Sequence, residues 1–137
     1  MALPTRFREL VRVVSEGKVV VTIDMREKCL LMYPLSEWEV VQRKLEELPN
    51  VGNQARLLQR LLIGHATDVD MDSNGRLLIS SMLRDFAEFS KRLVLVGQGN
   101  KVELWAQDHW QERRDEWLSA DAKVLLSQSD EFTGLSV

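Results

Sequence analysis

The stretch Ala66-Thr67-Asp68-Val69-Asp70-Met71-Asp72-Ser73-Asn74-Gly75-Arg76-Leu77-Leu78-Ile79 decides how this chain folds. Residues 66 to 71 alternate polar and apolar side chains, the pattern of a half-buried strand. Leu77-Leu78-Ile79 reads as a return strand. Asn74-Gly75 between them predicts a tight hairpin of type I′, which needs positive φ at both central residues. The turn alone accounts for Asn74 and Gly75. A chemical reading adds to it: a tight turn exposes backbone amides at its tip, and Arg76 flanks them. Asp72 is placed to accept hydrogen bonds from those amides and stiffen the loop. An arginine there can fork to a phosphate or to a guanine, with a solvated side chain as the ordinary alternative.

Outward from this stretch the chain repeats itself. Val19-Val20-Val21-Thr22-Ile23 is a β-branched run, and Asp24 to Lys28 is polar. Cys29-Leu30-Leu31-Met32-Tyr33 is a second apolar run. Farther on, Leu93-Val94-Leu95-Val96, the turn Gly97-Gln98-Gly99-Asn100 and Val102-Glu103-Leu104-Trp105 follow the same plan. Tyr33 and Trp105 each end a strand five residues before a tryptophan, Trp38 or Trp110, on a predicted helix. Ser36-Glu37-Trp38-Glu39 reads as a capping box, with Leu35 and Val40 as its hydrophobic staple. Asp108-His109-Trp110-Gln111 offers a similar cap. Trp38, Val41, Leu45 and Leu48 share one helix face, and Pro49-Asn50-Val51-Gly52 stops that helix. Leu3 to Leu10 resembles Ile79 to Phe86, with Arg8 matching Arg84 and Glu9 matching Asp85, and both segments read as short helices. Gln54 to Ile63 is a leucine-rich helix closed by Gly64 at a C′ position. The strand before Asp72 has no counterpart in the first half: by the repeat it would lie just ahead of Met1.

Bulk composition constrains the chemistry. At 137 residues the chain suits one domain or two small halves sharing a core. A single cysteine, Cys29, rules out an intramolecular disulfide and sits in an apolar strand pattern, as a core residue would. No apolar run approaches the ~20 residues of a membrane span. Met1 to Arg6 lacks a signal-peptide layout, so a cytoplasmic protein is expected. His65 and His109 lie far apart without paired-ligand spacing, so no metal and no cofactor are expected. No set of nucleophile, base and orienting group can be assembled, so no catalysis and no small-molecule substrate are expected. Gly97 to Lys101 weakly resembles a phosphate loop, but no helix follows at once and a hairpin turn accounts for it. Arg56 and Arg60 share a helix face, solvated or against a neighbouring subunit. Trp105, Trp110 and Trp117 suit a core or an interface. The tail from Ser127 is polar and is expected to be mobile. The net charge of −3 is unusual for a nucleic-acid binder, so any basic face must be local.

The motif Asp72-x-x-Gly75-Arg76-Leu77, followed by a short helix and a hydrophobic hairpin, resembles the SpoVT/AbrB swapped-hairpin DNA-binding element, and two such halves in one chain resemble the MraZ family. The likeness extends over Thr22-Ile23-Asp24, Cys29 to Glu39, Gln59 to Ala66 and Val96 to Trp105, and covers the chain to about Trp117. It implies an α+β fold of two pseudo-repeated AbrB-like hairpin halves around a small barrel-like core, with connecting and C-terminal helices. The halves are residues 1–35 and 66–108, with connecting helices in 36–65 and a C-terminal helix and tail in 109–137. The resemblance further implies a sequence-specific regulator of transcription that binds double-stranded DNA repeats upstream of the division and cell-wall gene cluster. It implies a homo-oligomeric ring in the cytoplasm and on the nucleoid. Arg76, Ser73, Asn74 and Gly75 would contact DNA, and Asp72 would structure the loop. The family's first copy of the motif, normally ahead of Leu3-Pro4-Thr5-Arg6, is missing, through either a coding start farther upstream or a natural short form. Its absence is expected to leave an unpaired sheet edge in the first half. The alternative function is an oligomerising protein-interaction module whose DNA binding is impaired by that loss.

Overall fold

The β-branched and apolar runs of the two repeats form one antiparallel sheet. In the computed structural model, which describes residues 1–49 and 52–128, the first compact unit is Met1–Ala106 and the second is Gln107–Val137. The first unit runs α1 (Thr5–Ser15), β1 (Lys18–Ile23), β2 (Leu30–Pro34), α2 (Leu35–Glu46), α3 (Gln54–Leu62) and β3 (Thr67–Asp70). It continues with α4 (Ser81–Phe86), β4 (Leu93–Gln98) and β5 (Lys101–Ala106). The strand order is β3-β1-β2-β5-β4. The α+β class holds, with the sheet open and β3 and β4 at its edges instead of closed into a barrel.

The register shows how the repeats meet. β2 pairs with β5 so that Leu31 faces Glu103, and these occupy equivalent places, two residues before Tyr33 and Trp105. A local twofold axis therefore passes through that pair. β3, from the second repeat, crosses to pair with β1 of the first, Val19 opposite Val69. β1 is thus paired on both sides. The unpaired edge expected in the first half is not there: among the described residues the edges are β3 and β4, both from the second repeat, because β3 is exchanged between the halves.

Burial explains the sequence pattern of β1. Val19, Val21 and Ile23, with Leu30, Met32 and Leu104, join Val11 of α1 and Leu83 of α4 in one core. Val20, Leu31 and Tyr33 face the other way, against Trp38 and Leu45 of α2 and Leu58 and Leu62 of α3. A strand covered on both faces reads as a continuous β-branched run without alternation. Each fully buried aliphatic side chain here contributes roughly 1.5–3 kcal/mol. Thr22, a polar residue buried in the core, donates its hydroxyl to Leu62 O at 2.7 Å. That carbonyl lies at the end of α3, where helix carbonyls lack an intrahelical partner.

Several local expectations are corrected. The capping box does not form, since α2 begins at Leu35 with Pro34 as N-cap and makes no side-chain cap bond. Ser36 therefore lies inside the first turn, where its hydroxyl has no cap position to fill, and Val40 is 46% exposed, so the staple is absent too. Trp38 and Leu45 are buried and Val41 and Leu48 pack beside them, as the helical spacing predicts. In place of the short helix expected within residues 3–10, α1 spans eleven residues and ends at Glu16 and Gly17, both with positive φ. Gly64 follows α3 without positive φ, and its need is steric: a Cβ there would lie 2.1 Å from Arg60 O. Leu77 to Ile79 does not extend a strand ladder; Arg76 instead bridges to Ala2.

The second unit holds α5 (Gln107–Trp117) and α6 (Ala120–Ser127). α5 begins at Gln107, which puts Asp108 in its first turn instead of at its cap. Trp110 meets Trp117 edge to face at 5.9 Å, and the Arg113 guanidinium lies 5.2 Å from the Trp117 ring centre. Ser119 caps α6 by accepting from Ala122 N. The tail predicted to be mobile lies, from residue 129, outside the described residues. Among the described residues no helix is long and apolar enough to cross a membrane.

Candidate nucleic-acid interface

β3 ends at Asp70, and the chain then reverses through Asp72 to Arg76. Asp72 N donates to Arg76 O and Gly75 N donates to Asp72 O, each at 3.0 Å. Ser73, Asn74 and Gly75 therefore form a three-residue loop. Gly75 has φ 75°, while neither Ser73 nor Asn74 has positive φ, so the two-residue type I′ turn is not what forms. A loop of this length places a left-handed glycine last, which Gly75 supplies at no steric cost. The Asp72 carboxylate favours the wider loop by accepting from both Asn74 N at 2.8 Å and Arg76 N at 2.9 Å.

Those bonds act on the titration of Asp72. Its carboxyl is held below its ordinary value of 3.8, chiefly by the Arg76 amide, with the Asn74 amide and the Arg76 charge adding to the effect. The sign follows from linkage. A carboxyl depressed in the folded state stabilises the fold above its ordinary pKa, and the contribution fades as pH falls through the depressed value. Loop order in the wild-type chain is expected to weaken below about pH 4, while Asp72→Asn should show a flatter acid limb. Amide exchange of Asn74 and Arg76 measured across that range checks this. Equal acid dependence in both proteins would contradict it.

The loop is clamped from the first repeat. Leu3 N donates to Gly75 O at 2.8 Å, Leu77 N donates to Met1 O at 2.6 Å, and the Met1 ammonium donates to Leu77 O at 2.8 Å. Arg8 and Arg12, one turn apart on α1, reach the same place. Arg12 donates to Ser73 O at 3.0 Å, and Arg8 donates to Leu3 O at 3.0 Å. Arg8 Nε is buried, makes no hydrogen bond among the described residues, and lies 2.1 Å from where a Cβ on Gly75 would be. Only glycine leaves room for that guanidinium.

The arrangement presents Ser73, Asn74 and Arg76 to solvent, whereas Gly75, expected among the DNA contacts, is buried with its amide donating to Asp72 O. Arg76 makes no side-chain hydrogen bond or ion pair with any described residue, so its fork of donors is available to a ligand. Arg12 is exposed where it meets the loop at Ser73. The two arginines can hold a phosphate oxygen or the acceptor edge of a base, while the Asn74, Gly75 and Arg76 amides are already taken up by Asp72. Arg8 and Arg12 were not singled out as loop partners by sequence reading. Their spacing of four on one helix was visible, but its target lies 61 residues away in the chain.

Residues considered for other chemistry fall elsewhere. His65 Nδ1 lies 2.6 Å from Leu61 O, a carbonyl that can only accept. Cys29 is fully buried, as expected of a core residue. Burial, with the charges of Asp24 and Glu103, pushes its thiol pKa up, so it is not a poised nucleophile. The turn of the β4–β5 hairpin is Gly99-Asn100, with Gly99 at φ 68° and Gln98 opposite Lys101.

Comparison with known proteins agrees with this two-repeat architecture. The family described as "MraZ protein, putative antitoxin-like" matches twice, over residues 1–61 and 62–125. A protein of Marinomonas sp. (strain MWYL1) named "Transcriptional regulator MraZ" is 51% identical over 122 residues, 89% of this chain and 81% of that one. One of the same name from Hydrogenovibrio crunogenus is 48% identical over 94% of this chain and 85% of its own length. Another, from Legionella pneumophila (strain Corby), is 41% identical over all 137 residues and 90% of its own length. Two matches of one family model over nearly all the chain, with relatives this similar along its length, establish that the chain belongs to the MraZ family.

Proposed function

We propose that this protein is a sequence-specific DNA-binding regulator of transcription that reads double-stranded DNA with the Ser73–Arg76 loop. The observation that carries the reading is the loop itself: a rigid, clamped turn holding an exposed arginine with no partner within the described residues. Asp72 structures the loop, Gly75 shapes it, and Ser73, Asn74 and Arg76 face the nucleic acid. Arg12 adds a second cation at the rim. No catalytic step belongs to this reading. Relatives named transcriptional regulators support it. By the same resemblance the target would be repeated sites ahead of the division and cell-wall genes, and the protein would work in the cytoplasm on the nucleoid.

A net charge of −3 makes one subunit a weak match for a polyanion. One loop also buries less than the ~1,000 Å² usual for specific DNA interfaces. The reading therefore includes a cyclic homo-oligomer whose several loops engage several repeats. Linkage of weak contacts can raise overall affinity by about 10²–10⁴. The alternative, a protein-interaction module with impaired DNA binding, draws on the exposed Leu10, Val13 and Val14 of α1. Light scattering with DNA titration at several salt concentrations, on duplexes carrying one repeat or several, separates the two. Tight, salt-dependent binding to the multiple-repeat duplex is expected. A monomer that binds one repeat as tightly as several would overturn the avidity argument. An oligomer indifferent to DNA at low salt would favour the alternative.

A further inference from the structure

At the seam between the repeats three ligating side chains converge. Asp24 follows β1 and Cys29 precedes β2, and they are joined by Asp24 N donating to Cys29 O at 3.0 Å. Glu103 comes from the second repeat. It stands opposite Leu31, which shares a sheet face with Cys29 because alternate residues of a strand point the same way. The Cys29 Sγ and one carboxylate oxygen from each acid all lie within 4.8 Å of one another. Cys29 is fully buried, and its thiol makes no hydrogen bond to any described residue. It is thus a buried polar group without a protein partner, placed between two carboxylates.

Both carboxylates are held from behind. Asp24 Oδ2 accepts from Arg26 N at 3.1 Å and from Glu27 N at 2.8 Å, and Glu103 Oε1 accepts from the Trp105 indole at 3.2 Å. Among the described residues each acid keeps one oxygen outside these bonds. Such outer contacts are what orient the ligands of a metal site. The negative charges of Asp24, Glu103 and Glu27 act on the thiol, opposed by Lys101. The repeat does not impose the cluster. The equivalent places in the other half, by the alignment of Tyr33 with Trp105, hold Val96, Lys101 and Leu31.

We propose that Asp24, Cys29 and Glu103 form a binding site for one divalent cation of borderline softness, of which Zn²⁺ fits best. A thiolate favours Zn²⁺ over Mg²⁺ or Ca²⁺, and Zn²⁺ accepts carboxylate oxygens as well. Tetrahedral Zn–S and Zn–O bonds put ligand atoms about 3.4–3.6 Å apart, which these side chains reach by small rotations. The thiol proton leaves to solvent as the ion binds, because the cation reverses the charge balance that otherwise keeps it protonated. With two ligands from the first repeat and one from the second, the ion ties the halves together. Its expected effect is on stability, through preferential binding to the folded state.

The test uses the full chain stripped of metal with a chelator. Calorimetric titration with Zn²⁺ is expected to show one ion per chain. Co²⁺ is expected to give a thiolate-to-cobalt charge-transfer band, Mg²⁺ no binding, and Zn²⁺ a raised melting temperature. Cys29→Ser should abolish the band, and Glu103→Gln should weaken Zn²⁺ binding by at least about tenfold. Asp24→Asn retains an acceptor for the two turn amides and serves as a second probe if Cys29→Ser fails to fold. Circular dichroism in chelator confirms that each variant is folded. No saturable Zn²⁺ binding by the wild-type chain would overturn the proposal. So would Zn²⁺ affinity unchanged in folded variants, which would put the ion elsewhere.

Discussion

Gly75→Val is expected to destabilise the first unit by about 2–5 kcal/mol and to abolish ordered presentation of Arg76. Two separate costs combine. The backbone at Gly75 sits at φ 75°, which a β-branched residue adopts only under strain. The added Cβ would also lie 2.1 Å from Arg8 Nε and 2.7 Å from Arg8 Cδ and Cζ, so the Arg8 side chain must leave its buried position. A milder series separates the costs. Gly75→Ala carries both. In an Arg8→Ala background the steric part disappears and the conformational part, about 1–3 kcal/mol, remains. Denaturant melts of the four proteins in that cycle give the coupling directly. Additive effects of Gly75→Ala and Arg8→Ala would mean that the two residues do not meet, and a wild-type melting temperature for Gly75→Val would remove the loop geometry from consideration.

Arg76→Ala is expected to leave stability nearly unchanged and to weaken specific DNA binding by about 1–3 kcal/mol, if the guanidinium forks to a base. The separation is possible because Arg76 contributes its backbone to the loop, through its amide and carbonyl, while its side chain bonds to no described residue. Binding to unrelated sequence reports what kind of contact is lost. Loss of a base contact lowers the preference for the specific site. Loss of a phosphate contact weakens all sequences alike and flattens the slope of log affinity against log salt by about one unit. Arg76→Lys discriminates further, since an ammonium keeps the charge but not the planar fork. An Arg76→Ala protein with wild-type affinity and wild-type salt slope would end the assignment of this side chain to DNA.

Much of this architecture was legible from neighbouring residues alone. The β-branched run at Val19 to Ile23, the alternation from Ala66 to Met71 and the helical stripe of Trp38, Val41, Leu45 and Leu48 are each local patterns, and all three became the elements they predict. Asp72, Asn74 and Gly75 marked the reversal of the chain. Its length differs from the pattern because Asn74-Gly75 suits a two-residue turn, while the Asp72 carboxylate favours a longer one by taking two amides. The capping pattern fails where a proline immediately precedes the helix. Pro34, with φ fixed near −55°, starts α2 before Ser36 can act.

The sequence by itself determined most of the elements, the internal repeat and the identity of the loop, because these depend on residues within a few positions of one another; the return strand expected at Leu77 to Ile79 is the exception. Which strands pair was decided only in the tertiary structure. β3 crosses to β1, Leu31 meets Glu103 across the seam, Arg8 and Arg12 of the first repeat brace a loop of the second, and Cys29 comes to lie between Asp24 and Glu103. Each of these contacts joins segments far apart in the chain. Their loop-closure entropy is recovered only when both faces of the sheet are covered together, so no local pattern encodes them singly.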